Sequence, residues 1–210
     1  MRAAPLVRVV GILALVGLVA CQLPYSGGAR PVHPTEIDAT WLRAAPTPVV
    51  RQQQESDCGL AALAMVAGSW GRHWSIDDLS HRLAPSARGV RLGALRDLAR
   101  DRGLDAYAVR ATYGDLEHEL ASGRPVMVGL VLPFDHEHNR SHYEVAVAMN
   151  PADGTVITID PATGEWMRRS KAVLDLEWKA GGYAALVVVG AAVASPKGDQ
   201  RTPEPSVSLN

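Results

Sequence analysis

Aromatic residues are scarce in this chain of 210 residues: there is one Phe, so Leu, Val, Ala and five Trp must fill any core. Neither sign of charge dominates, with 21 Lys and Arg against 22 Asp and Glu. A chain so nearly neutral lacks the basic excess that nucleic acids or acidic lipid surfaces select, and no nucleic-acid partner is expected. Cysteine is limited to Cys21 and Cys58, and no internal repeat is found. The longest apolar stretch near the start, Val9 to Ala20, is too short to span a bilayer as a mature helix. What is present, 47% hydrophobic and 20% charged residues, is the composition of one ordinary globular domain.

The first residues have a different purpose. Arg2 and Arg8 precede the apolar stretch, and Leu18-Val19-Ala20-Cys21 closes it with a small residue before cysteine. That order resembles the lipobox of bacterial lipoproteins, with an ordinary cleaved secretory signal as the alternative. Residues 1–20 are then a signal peptide, and Cys21 is the lipidated N-terminus. Gln22 follows in place of the Asp that favours inner-membrane retention, so an outer-membrane anchor facing the periplasm is expected in a Gram-negative cell. Residues 21–47, with Tyr25-Ser26-Gly27-Gly28 and several prolines, read as a lipidated tether. The folded domain is expected over 48–190, and the Pro- and Ser-rich residues 191–210 as a disordered tail. Acylation of Cys21 would leave Cys58 as a lone thiol in an oxidising compartment, where a reactive use becomes the better reading.

The sequence around Cys58 supports that use. Gln52-Gln53-Gln54-Glu55-Ser56-Asp57-Cys58-Gly59 runs into Leu60 to Ala67, an apolar stretch of good helix formers. Ser56 or Asp57 is a candidate N-cap, which puts Cys58 in the first turn of a buried helix. There the helix dipole and unpaired N–H groups favour thiolate over thiol. Gln52 carries an amide that can return beside the sulfur and donate to a developing oxyanion. The bland alternative is a small buried hydrophobe.

Downstream, Ser75-Ile76-Asp77-Asp78 has the form of a capping box opening a helix to about Leu83. Leu92, Leu95 and Leu98, closed by Gly103, mark a second helix, and Leu116 and Leu120, closed by Gly123, a third. Leu104 to Ala111 reads as extended and Pro125 to Leu132 as a buried strand. His142 to Met149 and Thr155 to Asp160 are strands joined by Asn150-Pro151-Ala152-Asp153-Gly154, a turn sequence. A helix over Lys171 to Trp178 and a last strand from Tyr183 to Gly190 follow. Helices first and adjacent strands late point to an α+β fold with an antiparallel sheet. In such a hairpin His142, at the start of one strand, and Asp160, at the end of the next, can sit side by side at one edge. An imidazole oriented by a carboxylate and facing a helix-N-terminal thiol is an arrangement for acyl transfer.

Gln52 with Asp57-Cys58-Gly59, then His142-Tyr143 opening a Val-rich strand, then Asp160-Pro161-Ala162-Thr163-Gly164, resemble the bacteriocin-processing peptidases. This is cysteine peptidase family 39, the double-glycine leader peptidases of papain-like fold, in a stand-alone lipoprotein form. The resemblance covers about residues 48–190. It implies N-terminal helices packed on an antiparallel sheet, with Cys58 as nucleophile, His142 as base and then acid, Asp160 orienting His142, and Gln52 as oxyanion donor. The expected function is a membrane-anchored thiol endopeptidase acting on an exported peptide or protein, including one with a Gly-Gly-type leader, as a monomer without cofactor or metal. The alternatives are a papain-like peptidoglycan endopeptidase or transpeptidase, though Asp57-Cys58-Gly59-Leu60 departs from the Asp-Cys-Ser-Gly of those enzymes, and a non-catalytic peptide-binding module. Glu144 stands where the family strand is usually apolar. His136, His138 and His142 offer a zinc-binding alternative that would compete with using His142 as a base.

Overall fold

The computed structural model describes residues 27–133 and 139–190. The segment expected as a signal peptide, Cys21, the segment expected as a tail over 191–210 and the loop histidines His136 and His138 lie outside the described residues. Two short strands, β1 (Arg30–Pro31) and β2 (Leu42–Arg43), precede the helices α1 (Cys58–Ser69), α2 (Ile76–Arg82) and α3 (Leu92–Asp101). Then come β3 (Asp105–Arg110), α4 (Tyr113–Ala121), β4 (Val126–Pro133), β5 (Asn139–Met149), β6 (Val156–Ile159), β7 (Trp166–Arg169), α5 (Lys171–Ala180) and β8 (Ala184–Val189). No helix among the described residues is long and apolar enough to cross a membrane.

The sheet is antiparallel throughout, in the order β1-β7-β6-β5-β4-β8-β3. Where β4 stops at Val126, β2 takes over beside β5, pairing Leu42 with Met149. The side chains of β4 alternate between the faces: Met127 joins the core under α1, whereas Val126, Val128, Leu130 and Leu132 join the core under α4 and α5. A bulge in β5 between Ala146 and Ala148 breaks this alternation, so Val147 and Ala148 enter the same core. The α+β fold with helices packed on an antiparallel sheet is as expected. The sheet is, however, covered on both faces, because α4 and α5 carry their own apolar stripes onto the second one.

Helix α1 is the centre of the first core. Every residue from Cys58 to Ala67 is buried, so the run has no polar stripe to present to water. Truncating a side chain such as Leu60 or Leu63, both fully buried, should cost about 2–5 kcal/mol. Helix α2 follows its expected cap, with Ser75 Oγ accepting from the Asp78 N–H; the Asp78 carboxylate pairs with Arg102 instead of completing a box. Gly103 and Gly123 close α3 and α4 with positive φ, +82° and +75°, which a residue without Cβ takes without strain.

Two features differ from the sequence reading. The segment expected as a tether is packed on the domain over much of its described length. β1 pairs with β7, Ile37 is buried, and the N–H of Ala44 donates to the carbonyl of Val147. Its prolines fit because these strands are only two residues long and Pro31 needs no donor in the ladder. Strand β7 was not expected at all, since Trp-Met-Arg-Arg carries charge at the very position, Arg169, that is fully buried.

Candidate active site

Cys58 is a free thiol in the first turn of α1, 6% exposed. Asp57 stands at the N-cap position, one of the two expected, but its side chain makes no cap hydrogen bond. A single 3-10 turn, Glu55–Asp57, leads into the helix, and Asp57 Oδ2 turns back to accept from the Gln54 N–H at 2.9 Å. The start of α1 therefore has no side-chain cap, and its N–H groups are left for the sulfur and whatever lies beside it. Gly59 is the residue that lets the strand approach. A methyl there would meet Leu95 Cδ1 at 3.1 Å and the Tyr143 ring at 3.3 Å, which is why this helix tolerates a poor helix former at its second position.

The sheet brings His142 and Asp160 together. The β5–β6 register pairs Val145 with Ile159; one step further would set Asp160 opposite Glu144, with His142 its diagonal neighbour. Across that diagonal His142 Nε2 and Asp160 Oδ1 are 2.7 Å apart, both residues at 3% exposure or less. Asp160 is held by its own turn: Oδ1 also accepts from the Ala162 N–H, and its carbonyl accepts from the Gly164 N–H at 2.7 Å. Gly164 has φ +74°, so the Asp-Pro-Ala-Thr-Gly sequence is the shape of this turn. Gln52 is fastened to the same turn, its N–H donating to the Pro161 carbonyl at 2.8 Å. The Gln52 side-chain oxygen is buried with no partner among the described residues.

With Nε2 engaged by Asp160, Nδ1 is the ring nitrogen left for the thiol. It is buried, and its contact with Cys58 falls short of full hydrogen-bond geometry yet is close enough to shift both groups. Burial pushes the Cys58 thiol up. The nearby His142 ring and its charge, with the N–H groups of Tyr143 and Gly59, outweigh it and hold the thiol below its ordinary value. Burial also works against a charged imidazole, but Asp160, Cys58 and the negative charge of Glu144 push His142 up to about 10. The two shifts oppose each other in the sense that favours a thiolate beside an imidazolium.

A cleft of about 360 Å³ opens over these groups, lined by Cys58, His142, Arg88, Arg91, Gly129 and Gly181 among others. Its wall is backbone-like: a Cβ on Gly181 would lie 2.1 Å from the Gly129 carbonyl oxygen. A larger cavity of about 460 Å³, between β3 and α4, shares no lining residue with it and carries no thiol. Beneath the cleft lies a polar cluster that sequence reasoning missed, apart from noting Glu144. Arg169 donates to both Glu144 oxygens, at 2.6 and 2.7 Å, and to Glu177 Oε2 at 2.7 Å. Thr158 Oγ1 donates to Glu144 at 2.5 Å, and Glu177 Oε1 accepts from the Gly28 N–H at 2.6 Å. His142, Glu144 and Asp160 hold ligand-type atoms within 4.8 Å of one another, but both Glu144 oxygens are already engaged, and the cation of this cluster is Arg169.

A thiol at an open helix N-terminus, beside an imidazole that a carboxylate orients, defines the class of papain-like acyl-transfer enzymes. The chain belongs to the Peptidase C39 family, whose sequence model matches residues 46–189, and it is a cysteine peptidase. Over 128 residues, 61% of the chain, it is 31% identical to the colicin V secretion/processing ATP-binding protein CvaB of Escherichia coli; the match spans 16% of that relative's length. Its fold is shared by a C39-like peptidase from Bacillus anthracis, at 16% identity and TM-score 0.60 over 72% of this chain and 98% of that one. It is also shared by the double-glycine-motif protease of an AMS/PCAT transporter, solved in complex with the leader peptide, at 20% identity and TM-score 0.55 over 71% and 95%.

Proposed function

We propose that this peptidase is a thiol endopeptidase held at the bacterial cell envelope by a lipid on Cys21, hydrolysing a peptide bond in an exported peptide or protein. The observation that carries the reading is the Nε2–Oδ1 bond of His142 and Asp160 beside a thiol lowered below its ordinary value. The Cys58 thiolate attacks the scissile carbonyl carbon and forms the C–S bond, and the carbonyl electron pair moves onto oxygen. Gln52, with the uncapped N–H groups at the start of α1, stabilises that oxyanion. The tetrahedral species collapses as His142 gives its proton to the leaving amine, and the C–N bond breaks. Water, deprotonated by the now neutral His142, then cleaves the thioester and returns the thiolate. Asp160 holds the ring in orientation throughout.

The backbone-like wall of Gly129 and Gly181 supports an extended substrate with small residues before the scissile bond, as in a leader ending in Gly-Gly. The domain then begins before residue 48, with residues 27–47 as a docked arm between lipid and catalytic unit.

The test is cleavage of a precursor peptide carrying a Gly-Gly leader. Cys58→Ala and His142→Ala should both abolish turnover, and in cells Cys21→Ala should abolish fatty-acid labelling and membrane association. Turnover retained by Cys58→Ala, or iodoacetamide alkylation with a midpoint near the free value of about 8.5 and indifferent to His142→Ala, overturns the mechanism. Unlabelled, unanchored wild-type protein overturns the anchor.

A further inference from the structure

Among the described residues two carboxylates stand beside His142, and the mechanism uses one. We infer that Glu144 is a positioning residue for the site: a second, fixed negative charge under the His142 ring that holds it as imidazolium, kept in place by Arg169 and Glu177. The inference deepens the reading of His142 as the partner of Cys58, but its test does not depend on turnover.

The geometry is specific. Glu144 is two residues from His142 on β5, fully buried, with a carboxylate oxygen within 4.8 Å of ligand-type atoms of both His142 and Asp160. It cannot swing away, because Arg169 grips both its oxygens and Thr158 donates to one of them. Arg169 is itself shared with Glu177, so one guanidinium serves two carboxylates, and Asp160 adds a third. Three carboxylates here face one guanidinium, and protonating His142 lowers the excess of negative charge from two to one. A buried cluster with that imbalance favours the charged ring, as an opposite charge within about 4–6 Å does. Among the described residues, the charged and titratable groups facing His142 are Cys58 from α1, Asp160 from the turn after β6, and Glu144 from its own strand. Behind Glu144 stand Arg169 from β7 and Glu177 from α5, and Arg88 and Arg91 line the cleft. Of these, Glu144 is the carboxylate the reaction does not touch. Its negative charge favours the charged form of His142 and of Arg169 alike.

The consequence is a catalytic pair that survives to alkaline pH. The thiolate–imidazolium state exists between deprotonation of the thiol and deprotonation of the ring, so removing the Glu144 charge should close that window from the alkaline side only.

The experiment is an NMR titration of the full chain labelled at the histidine rings, comparing wild type with Glu144→Gln, Glu144→Asp and Asp160→Asn. Glu144→Gln should lower the His142 midpoint by about one pH unit or more. Glu144→Asp, which keeps the charge, should restore it in large part, while the exposed His33, His73, His81 and His118 stay unchanged as internal controls. A folded Glu144→Gln protein with an unmoved His142 midpoint overturns the inference, as does equal loss in Glu144→Asp. If Glu144→Gln does not fold, Asp160→Asn decides. With Glu144 as its remaining carboxylate, His142 should still titrate above its ordinary value of about 6.5, and a midpoint at or below that overturns the inference. Iodoacetamide alkylation of Cys58, read by mass on its own peptide, separates the two failures. An unactivated thiol refutes the proposed mechanism, whereas a normal thiol with an unmoved His142 refutes only the role of Glu144.

Discussion

Two polar clusters lie side by side on this sheet, and they are built by opposite rules. In the cluster around Arg169 every contact is closed: the guanidinium donates to Glu144, Thr158 and Glu177, and Glu177 takes a backbone N–H from Gly28 as well. In the cluster around His142 two buried polar atoms are left over, His142 Nδ1 and Gln52 Oε1, and the helix above has no side-chain cap. A buried polar group without a partner costs about 1–3 kcal/mol; a thiol proton can supply the partner that His142 Nδ1 lacks, whereas the Gln52 oxygen, an acceptor, calls for a donor and not for an oxyanion. The closed cluster ties the sheet together, and the open one is where the proposed chemistry would take place.

The comparison is broken most forcefully at Arg169. Replacing it by Met leaves Glu144 and Glu177 buried with no cation between them, and removing one partner of a buried ion cluster costs about 3–5 kcal/mol. Denaturant unfolding should show a loss of that size, together with release of the Gly28 end of the N-terminal arm to proteolysis. A loss below about 1 kcal/mol would mean that water reaches the cluster and that it is not closed.

Gln52 probes the open cluster. Gln52→Ala should leave alkylation of Cys58 nearly intact, because the thiolate needs no oxyanion donor. Turnover should fall by about two to three orders of magnitude in kcat, the usual loss for one such donor. Unchanged kcat would assign the role to Gln53, Gln54 or the backbone alone. Loss of folding would make Gln52 a strut of the Pro161 turn, to which its N–H is bonded.

The open cluster was legible in the sequence because each of its parts sits at a local signal. Cys58 begins an unbroken apolar run, Asp160 begins a Pro- and Gly-bearing turn, and His142 follows a polar stretch and opens an apolar strand. Two strands joined by one turn are enough to bring the last two together. The closed cluster was not legible, because Glu144, Arg169 and Glu177 are brought together only by β7 and α5 docking, and charge in a four-residue strand reads as surface. Glu144 was visible as an anomaly without its reason. The arm over residues 27–47 was hidden by its prolines and glycines, which mark a linker in the absence of the strand edges they meet. The cap of α1 was misread for a related reason: Asp57 has the right identity and position, but the 3-10 turn before it gives its carboxylate a nearer donor in Gln54.

The smallest effect expected comes from comparing two helix starts. Helix α4 opens with a complete reciprocal box, Thr112 Oγ1 accepting from the Asp115 N–H and Asp115 Oδ2 accepting from the Thr112 N–H at 2.8 Å. Helix α1 opens with none, and the N–H groups that a cap would occupy stay available to the thiolate and the oxyanion. If that difference reflects use, the two ends should respond differently to the loss of a cap. Thr112→Ala should lower stability by about 1 kcal/mol, the ordinary worth of an N-cap side chain, and leave the pH midpoint of Cys58 alkylation where it was. The helix it weakens lies on the far face of the sheet, packed through Leu116 and Leu120 into the core under α5, with no part in the cleft. A shift in the alkylation midpoint would show that the two faces are coupled through the strands between them, and the separation of closed structure from open chemistry would then fail at its weakest joint.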